Sequence, residues 1–322
     1  MTQTAMEETI YGLCFAVVVQ DGPYTLYEMP CVGGTGYMKR YALLPGVDLV
    51  YSRYDAASCL TQSPLLDTLM EINHCRCGRF ECEFRKGSYA YLSAGDISIN
   101  MMGHPAASSS FPLNVYEGAA LILDLPRAQD SFNRAFPHVA LNVFQLQKRL
   151  CMDGNCFVNR STPAIAQAFD CLYGMETAFV HDYALLKVLE ILLLLRDLPE
   201  YGACSVPYFR KDIALRVRAL HDDMLRHPDI HLPIERLCER YALGSTLLKS
   251  AFKAIYGQPV YAFLRDCRMQ SAAASLEKGR KSIATIAADV GYENASKFST
   301  AFRSVMGVSP SDYRAGRRAR VL

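Results

Sequence analysis

The sequence predicts an α+β multidomain protein: a β-barrel or sandwich at the N-terminus, helices in the middle and an all-α C-terminal part. Three observations predict it. From about Ile10 to Leu125, short apolar or alternating runs are separated by Gly, Pro, Asn and Asp, the pattern of many short strands. From about Pro163 the spacing of apolar residues becomes helical. Near the C-terminus a helix-turn-helix pattern occurs twice. The 322 residues suffice for two domains and a helical connector, expected at 1–150, 151–207 and 208–322.

The expected strands are Cys14–Val19, Leu49–Tyr51, Leu69–His74, Phe80–Phe84, Tyr89–Leu92, Ile97–Asn100 and Ala119–Leu123. Ser93-Ala94-Gly95-Asp96 reads as a turn before Ile97, and Cys77-Gly78-Arg79 as a hairpin tip. Tyrosines between Tyr11 and Tyr116 fit a ligand cavity and ordinary strand positions equally well. The middle of the chain predicts helices over Pro163–Thr177 and His181–Leu198. The second is apolar on nearly every face and has to be buried, either on the barrel and the preceding helix or in a dimer interface. Lys187 and Glu190 break its apolar run, which ends at Arg196, so it is too short for a membrane span. Pro199 to Pro207 reads as a linker.

Residues 1–10 carry Glu7 and Glu8 and no positive region, so no signal peptide is expected. The expectation is a cytoplasmic protein whose 12 cysteines stay reduced. His74, Cys75, Cys77 and Cys82 are the one Cys/His cluster. Strand alternation puts Cys75 and Cys77 on one face and His74 on the other, so four ligands do not converge. No metal and no cofactor are expected. Nor is an enzyme: His74 and His104 are the only histidines before His138, with no His-x-His pair and no Gly-x-Ser-x-Gly.

The repeated units lie at about 235–256 and 283–306. Each has a short helix, a tight turn and a second helix ending apolar-x-x-apolar-Phe, at Phe252 and Phe302. In the second, Ala287 provides the small residue where the helices cross and Gly291 the residue that tolerates positive φ. Ser282 is the expected cap of its first helix, whose buried stripe is Ile283, Ile286 and Val290. Asn294 caps the next, which turns Phe298, Ala301 and Phe302 inward. Ala295, Ser296, Ser299, Thr300 and Arg303 are left outside, with Lys297 at the edge; small, hydroxyl-bearing and basic side chains suit a helix in a DNA major groove. An ordinary αα-hairpin is the plainer reading of one such copy.

Ser282 to Arg314, including Gly307-Val308-Ser309-Pro310, resembles the signature of the AraC/XylS family of bacterial transcription regulators. Tyr256-Gly257-Gln258-Pro259 followed by Tyr261–Leu276 resembles that family's long helix between the two units, and the resemblance covers about 212–315. The first unit departs from the pattern. Ala242 stands where Gly is usual in the turn, Gly244 where Ser usually caps, and Cys238 in the crossing slot. The family's docking mode implies that Ser245, Thr246, Lys249 and Ser250 face the groove, with Lys253 near a phosphate. In the second unit it implies Asn294, Ala295, Ser296, Lys297, Thr300 and Arg303. Lys249 is the candidate for a guanine contact and Arg303 for phosphate. Glu71 to Cys82 with Gly95-Asp96-Ile97 resembles the core hairpin of the family's cupin-like sensor barrel and, over fewer features, regulators that sense iron–siderophore complexes.

Charge agrees in direction. Met1–Leu220 holds 18 Lys and Arg against 22 Asp and Glu; His221–Leu322 holds 16 against 10. The tail Arg314–Arg320 carries four of the later positives and reads either as a phosphate-binding tail or as a solvated end. The expected function is sequence-specific transcription regulation, with a small-molecule effector, activation rather than repression, and a homodimer on promoter DNA. RNA polymerase is a further candidate partner, and a membrane is not. The alternatives are DNA binding without ligand control and a cupin-type metal enzyme.

Overall fold

A computed structural model describes residues 16–20, 22–60, 67–84, 87–103, 108–151, 156–174, 180–198, 208–229, 233–279 and 281–318. The expectations for Cys14 and Phe15, His104, the linker Pro199–Pro207, the end of the helix at Thr177 and Arg320 lie outside these residues. The chain divides into two compact units between Phe209 and Arg210.

The first unit is built from β1 (Ala16–Val19), β2 (Thr25–Glu28), β3 (Cys31–Val32), β4 (Thr35–Leu44), β5 (Val47–Asp55), β6 (Ser58–Leu60), β7 (Leu69–Phe84), β8 (Ser88–Ser93), β9 (Asp96–Met101), β10 (Ser108–Ser110), β11 (Tyr116–Asp124) and β12 (Phe157–Arg160). Its helices are α1 (Leu125–Ala135), α2 (Val143–Leu150), α3 (Pro163–Tyr173) and α4 (Val180–Leu194). Two antiparallel sheets share β7. One runs β1-β2-β4-β5-β11-β7-β9-β12, the other β3-β6-β10-β7-β8. The pairing of β12 with β9 carries the sheet past residue 150.

Cys77-Gly78-Arg79 is not a hairpin tip. It lies inside the 16-residue β7, where the strand leaves β11 and begins to pair with β8. Gly78 has φ +80°, and a Cβ there would stand 2.0 Å from the Val115 carbonyl oxygen. The turn chemistry was legible, but it serves a bend. A bulge between the partners of Glu117 and Gly118 also reverses the expected faces. Cys77 shares the face of His74 and is exposed, whereas Cys75 is buried between the sheets. The Ser93–Asp96 turn is present, with the Ser93 amide donating to Asp96 Oδ2 at 2.8 Å.

Between the sheets the space is filled by rings: Tyr54 stacks on Phe111 (4.5 Å), and Phe80 and Tyr116 close around them. The opposite face of the larger sheet carries a second core. Its central row is Tyr41, Leu49, Leu121, Ile72, Ile99 and Phe157, directly paired across six strands. Helices α3 and α4 cover it with Ile165, Phe169, Leu172, Val188, Ile191 and Leu192. Thr162 caps α3 and Pro163 opens it. The expected burial of α4 is one-sided: Tyr183 and Leu186 remain exposed. Among the described residues no helix is long and apolar enough to cross a membrane.

The next row reads Leu26, Lys39, Tyr51, Ala119, His74 and Ile97. His74 stacks on Phe169 at 4.5 Å, its Nδ1 lies 3.1 Å from the Tyr173 hydroxyl, and its buried Nε2 has no partner. Burial holds the imidazole down at about 4, against the pull of Asp170 and Asp96. The unfolded chain therefore takes up this proton first, and the stability tied to neutral His74 is whole above pH 6.5 and lost as pH falls toward 4. Urea denaturation should show wild type losing about 2 kcal/mol more than His74→Gln between pH 7 and pH 5. Parallel losses would remove His74 from the account.

Candidate nucleic-acid interface

The second unit is all helix: α5 (Lys211–Arg226), α6 (Ile234–Tyr241), α7 (Ser245–Tyr256), α8 (Val260–Lys278), α9 (Ile283–Asp289), α10 (Ala295–Met306) and α11 (Pro310–Arg318). Helices α6–α7 and α9–α10 are the two helix-turn-helix pairs, and α8 packs against members of both. Its Leu264 is buried toward the N-terminal half, while Met269, Ala272, Ala273 and Leu276 join Ile286, Val290, Phe298 and Phe302 in the core of the second pair.

Helix α10 starts as its sequence dictates. Asn294 Oδ1 accepts from the Ser296 and Lys297 amides (2.8 and 3.1 Å), and Gly307 closes the helix in the left-handed region. Ser282 caps α9 and Ser309 caps α11, both as expected. Phe298 and Phe302 are buried, while Ala295, Ser296, Lys297, Thr300 and Arg303 are exposed and Ser299 is half-buried. The Ser299 and Thr300 hydroxyls donate back to the Ala295 and Ser296 carbonyls, leaving oxygen lone pairs outward.

Helix α7 repeats this layout. Leu248, Ala251, Phe252 and Ile255 are buried; Ser245, Thr246, Lys249, Ser250 and Lys253 are exposed along one side. The first pair reaches this geometry by other means. Ala242 adopts φ +50°, where an L side chain is strained, and Gly244 supplies no side-chain cap. Arg216 reaches over from α5 to donate to the Ala242 carbonyl at 2.9 Å. Asp223 accepts from Arg226 and Arg240 at 2.8 Å and from the Tyr241 hydroxyl at 2.5 Å, tying α6 to α5. The Tyr241 hydrogen bond is the chief reason its carboxyl lies below the usual range. The sequence offered no pattern for these two anchors.

Arg268 was also missed. It is buried in the middle of α8, donates from Nε to the Pro228 carbonyl at 2.7 Å, and lies over the Tyr292 ring. Its signal was an Arg on the stripe Leu264, Arg268, Ala272, Leu276, where an apolar residue fits the spacing. Arg314, read as part of a tail, instead sits within α11 and donates to the Lys281 carbonyl at 2.8 Å.

Residues 237–316 match the family model described as a helix-turn-helix domain. The chain is 34% identical over 102 residues to a putative AraC-like transcription regulator of Streptomyces lividans, covering 32% of each protein. It is 34% identical over 114 residues to the MmsAB operon regulatory protein of Pseudomonas aeruginosa, covering 34% of this chain and 37% of that one. Against the HTH-type transcriptional activator RhaR of Pectobacterium carotovorum subsp. carotovorum it is 38% identical over 80 residues, 25% of this chain and 28% of the other. The C-terminal domain belongs to the AraC/XylS family. The match spans about a third of these relatives' length.

Within this AraC/XylS domain the two turns make opposite demands on one atom. A Cβ on Gly291 (φ +80°) would stand 2.6 Å from the Asp229 carbonyl oxygen and 3.2 Å from Arg268 Nη2. Gly291→Ala should destabilise the domain by at least about 2 kcal/mol, whereas Ala242→Gly should stabilise it by about 1 kcal/mol. Denaturant titration of the two variants tests this, and equal shifts of one sign would contradict it.

Proposed function

We propose that the protein is a transcription regulator that reads double-stranded DNA through α7 and α10. The observation that carries this reading is the repeated layout of those helices. Each buries a phenylalanine on α8's side and turns small, hydroxyl-bearing and basic residues to solvent. Ser245, Thr246, Lys249 and Ser250 read bases in one major groove and Lys253 binds phosphate. In the next groove Ala295, Ser296 and Thr300 meet bases, Lys297 and Arg303 meet phosphate, and Asn294 fixes the start of the helix. Neither helix carries an early Arg, so methyl, hydroxyl and shape readout contribute much of the specificity.

In this reading the first unit is a cupin-like sensor of a small molecule, and the exposed Tyr183 and Leu186 on α4 supply part of a homodimer face. The protein acts in the cytoplasm, at promoters, and contacts RNA polymerase as an activator; the name of the relative RhaR supports activation. A second reading, DNA binding without ligand control, draws on the ring-filled space between the sheets.

Genome-wide DNA capture with the full-length protein and with Lys249→Ala/Arg303→Ala tests the proposal. Discrete peaks lost in the double variant are expected; diffuse capture by a folded wild type would contradict it. On a recovered site, Lys249→Ala should cost about 1–3 kcal/mol of specific binding and little nonspecific binding. Arg303→Ala should weaken both and reduce the salt slope by about one. A Lys249→Ala loss equal on both kinds of DNA would demote that residue to a phosphate contact.

A further inference from the structure

On the helix-covered face of the larger sheet, where α3 ends, the structure contains a cavity of about 150 Å³. It lies across two cross-strand rows, Leu26–Lys39–Tyr51 and Tyr37–Arg53–Glu117, and the ring of Tyr173 forms one wall. This is the opposite face of the sheet from the ring-filled interior. The apolar row beside it is sealed by helices, so the cavity sits where a buried core gives way to charge.

Its polar groups are unequally occupied. The Tyr51 hydroxyl already donates to the Leu172 carbonyl at 2.8 Å, and the Tyr173 hydroxyl lies between His74 Nδ1 and the His74 carbonyl, 3.1 Å from each. Glu117 is neutralised by Arg76 at 2.6 Å, and Arg53 pairs with Asp55 at 3.3 Å. Lys39 differs. Its side chain is half-buried, with the ammonium over the faces of Tyr24 (4.0 Å) and Tyr41 (5.1 Å), and among the described residues no carboxylate or carbonyl accepts from it. Ring faces attract the charge but satisfy none of the three N–H donors. A half-buried lysine whose donors have no protein partner among the described residues, beside a cavity walled by Leu26 and the rings of Tyr37, Tyr51 and Tyr173, is complementary to one anionic group on an apolar body.

We propose that this cavity is the effector site and that it takes a small organic monocarboxylate. The carboxylate accepts from Lys39, with Arg53 adding positive charge at the rim, and the apolar body lies on Leu26 and between the Tyr51 and Tyr173 rings. The inference rests on the regulator reading, and it assigns the ligand to a wall that belongs to α3. Tyr173 is that helix's last residue, and its hydroxyl reaches His74 in the core beneath, so a bound ligand bears directly on the packing of α3.

Calorimetric titration of the full-length protein at fixed ionic strength tests it, using acetate, 3-phenylpropionate and indole-3-acetate, each against its neutral amide. At least one aryl carboxylate should bind, more tightly than its amide by about tenfold. Lys39→Gln should abolish that preference, Lys39→Arg should retain most of it, and Lys148→Gln, an exposed lysine on α2, should leave it unchanged. Equal binding of acid and amide, indifference to Lys39→Gln, or no binding by any carboxylate would overturn the proposal. So would a Lys39-dependent self-association seen by sedimentation, which would assign the cavity to an acidic segment of a second copy. DNA capture with the same preparations separates the two failures. Discrete peaks without carboxylate binding overturn this site alone, whereas loss of peaks in wild type overturns the regulator reading.

Discussion

Arg268 is the constraint on which the all-helical C-terminal unit depends. Its guanidinium is buried on α8, donates to the carbonyl of Pro228 ahead of the first helix pair, and fills the space under Gly291 in the turn of the second. Burial lowers its affinity for a proton only in degree; the Tyr292 ring and the Asp229 carboxylate both favour the charge. A desolvated guanidinium is costly unless it is paired and hydrogen-bonded. Only its Nε is satisfied, by the Pro228 carbonyl, while the buried Nη2 beneath Gly291 has no hydrogen-bond partner among the described residues. One hydrogen bond and close packing therefore hold the turn of the second pair against the segment leading into the first. Two recognition helices can read a duplex together only if such a link sets their register.

The two pairs reach one layout from unequal sequence. The second is self-sufficient: Ser282, Asn294 and Ser309 cap three successive helices, and Gly291 and Gly307 take the positive φ values. The first places an alanine in the left-handed region and a glycine at the cap, and is braced from outside by Arg216 and Asp223 on α5. His221, on the same helix, stacks on Tyr256 at 3.9 Å, and burial lowers its pKa. Helix α5 is thus part of the first helix pair's structure rather than an appendage to it.

Most of this domain was legible because capping and close crossing restrict residue choice to a few types. The caps at Ser282, Asn294 and Ser309 and the buried Phe252 and Phe302 are local facts of the chain. Arg216, Asp223 and Arg268 act across tens of residues, and no local pattern announces such a bond. In the first unit, strands with apolar runs were found, whereas β4, with Lys39 and Arg40 inside it, and the short β2 and β12 were not. Arg40 is buried through its pair with Asp48 at 2.7 Å, a tertiary bond that overrides the polar reading of the segment. Gly78 reads as a hairpin tip because a positive-φ residue inside a 16-residue strand is locally the same as one in a turn. The cavity at Lys39 was invisible because its walls come from four strands and a helix.

The most direct test of the account is whether the two recognition helices act in one fixed register. Duplexes selected from random sequence by the full-length protein should show two sequence blocks with centres about one helical turn apart. Inserting about half a turn between the blocks should reduce affinity toward the nonspecific level, because the link through α8 cannot follow the rotation. Undiminished affinity after the insertion would contradict it, leaving the two pairs as independent readers or one of them as scaffold.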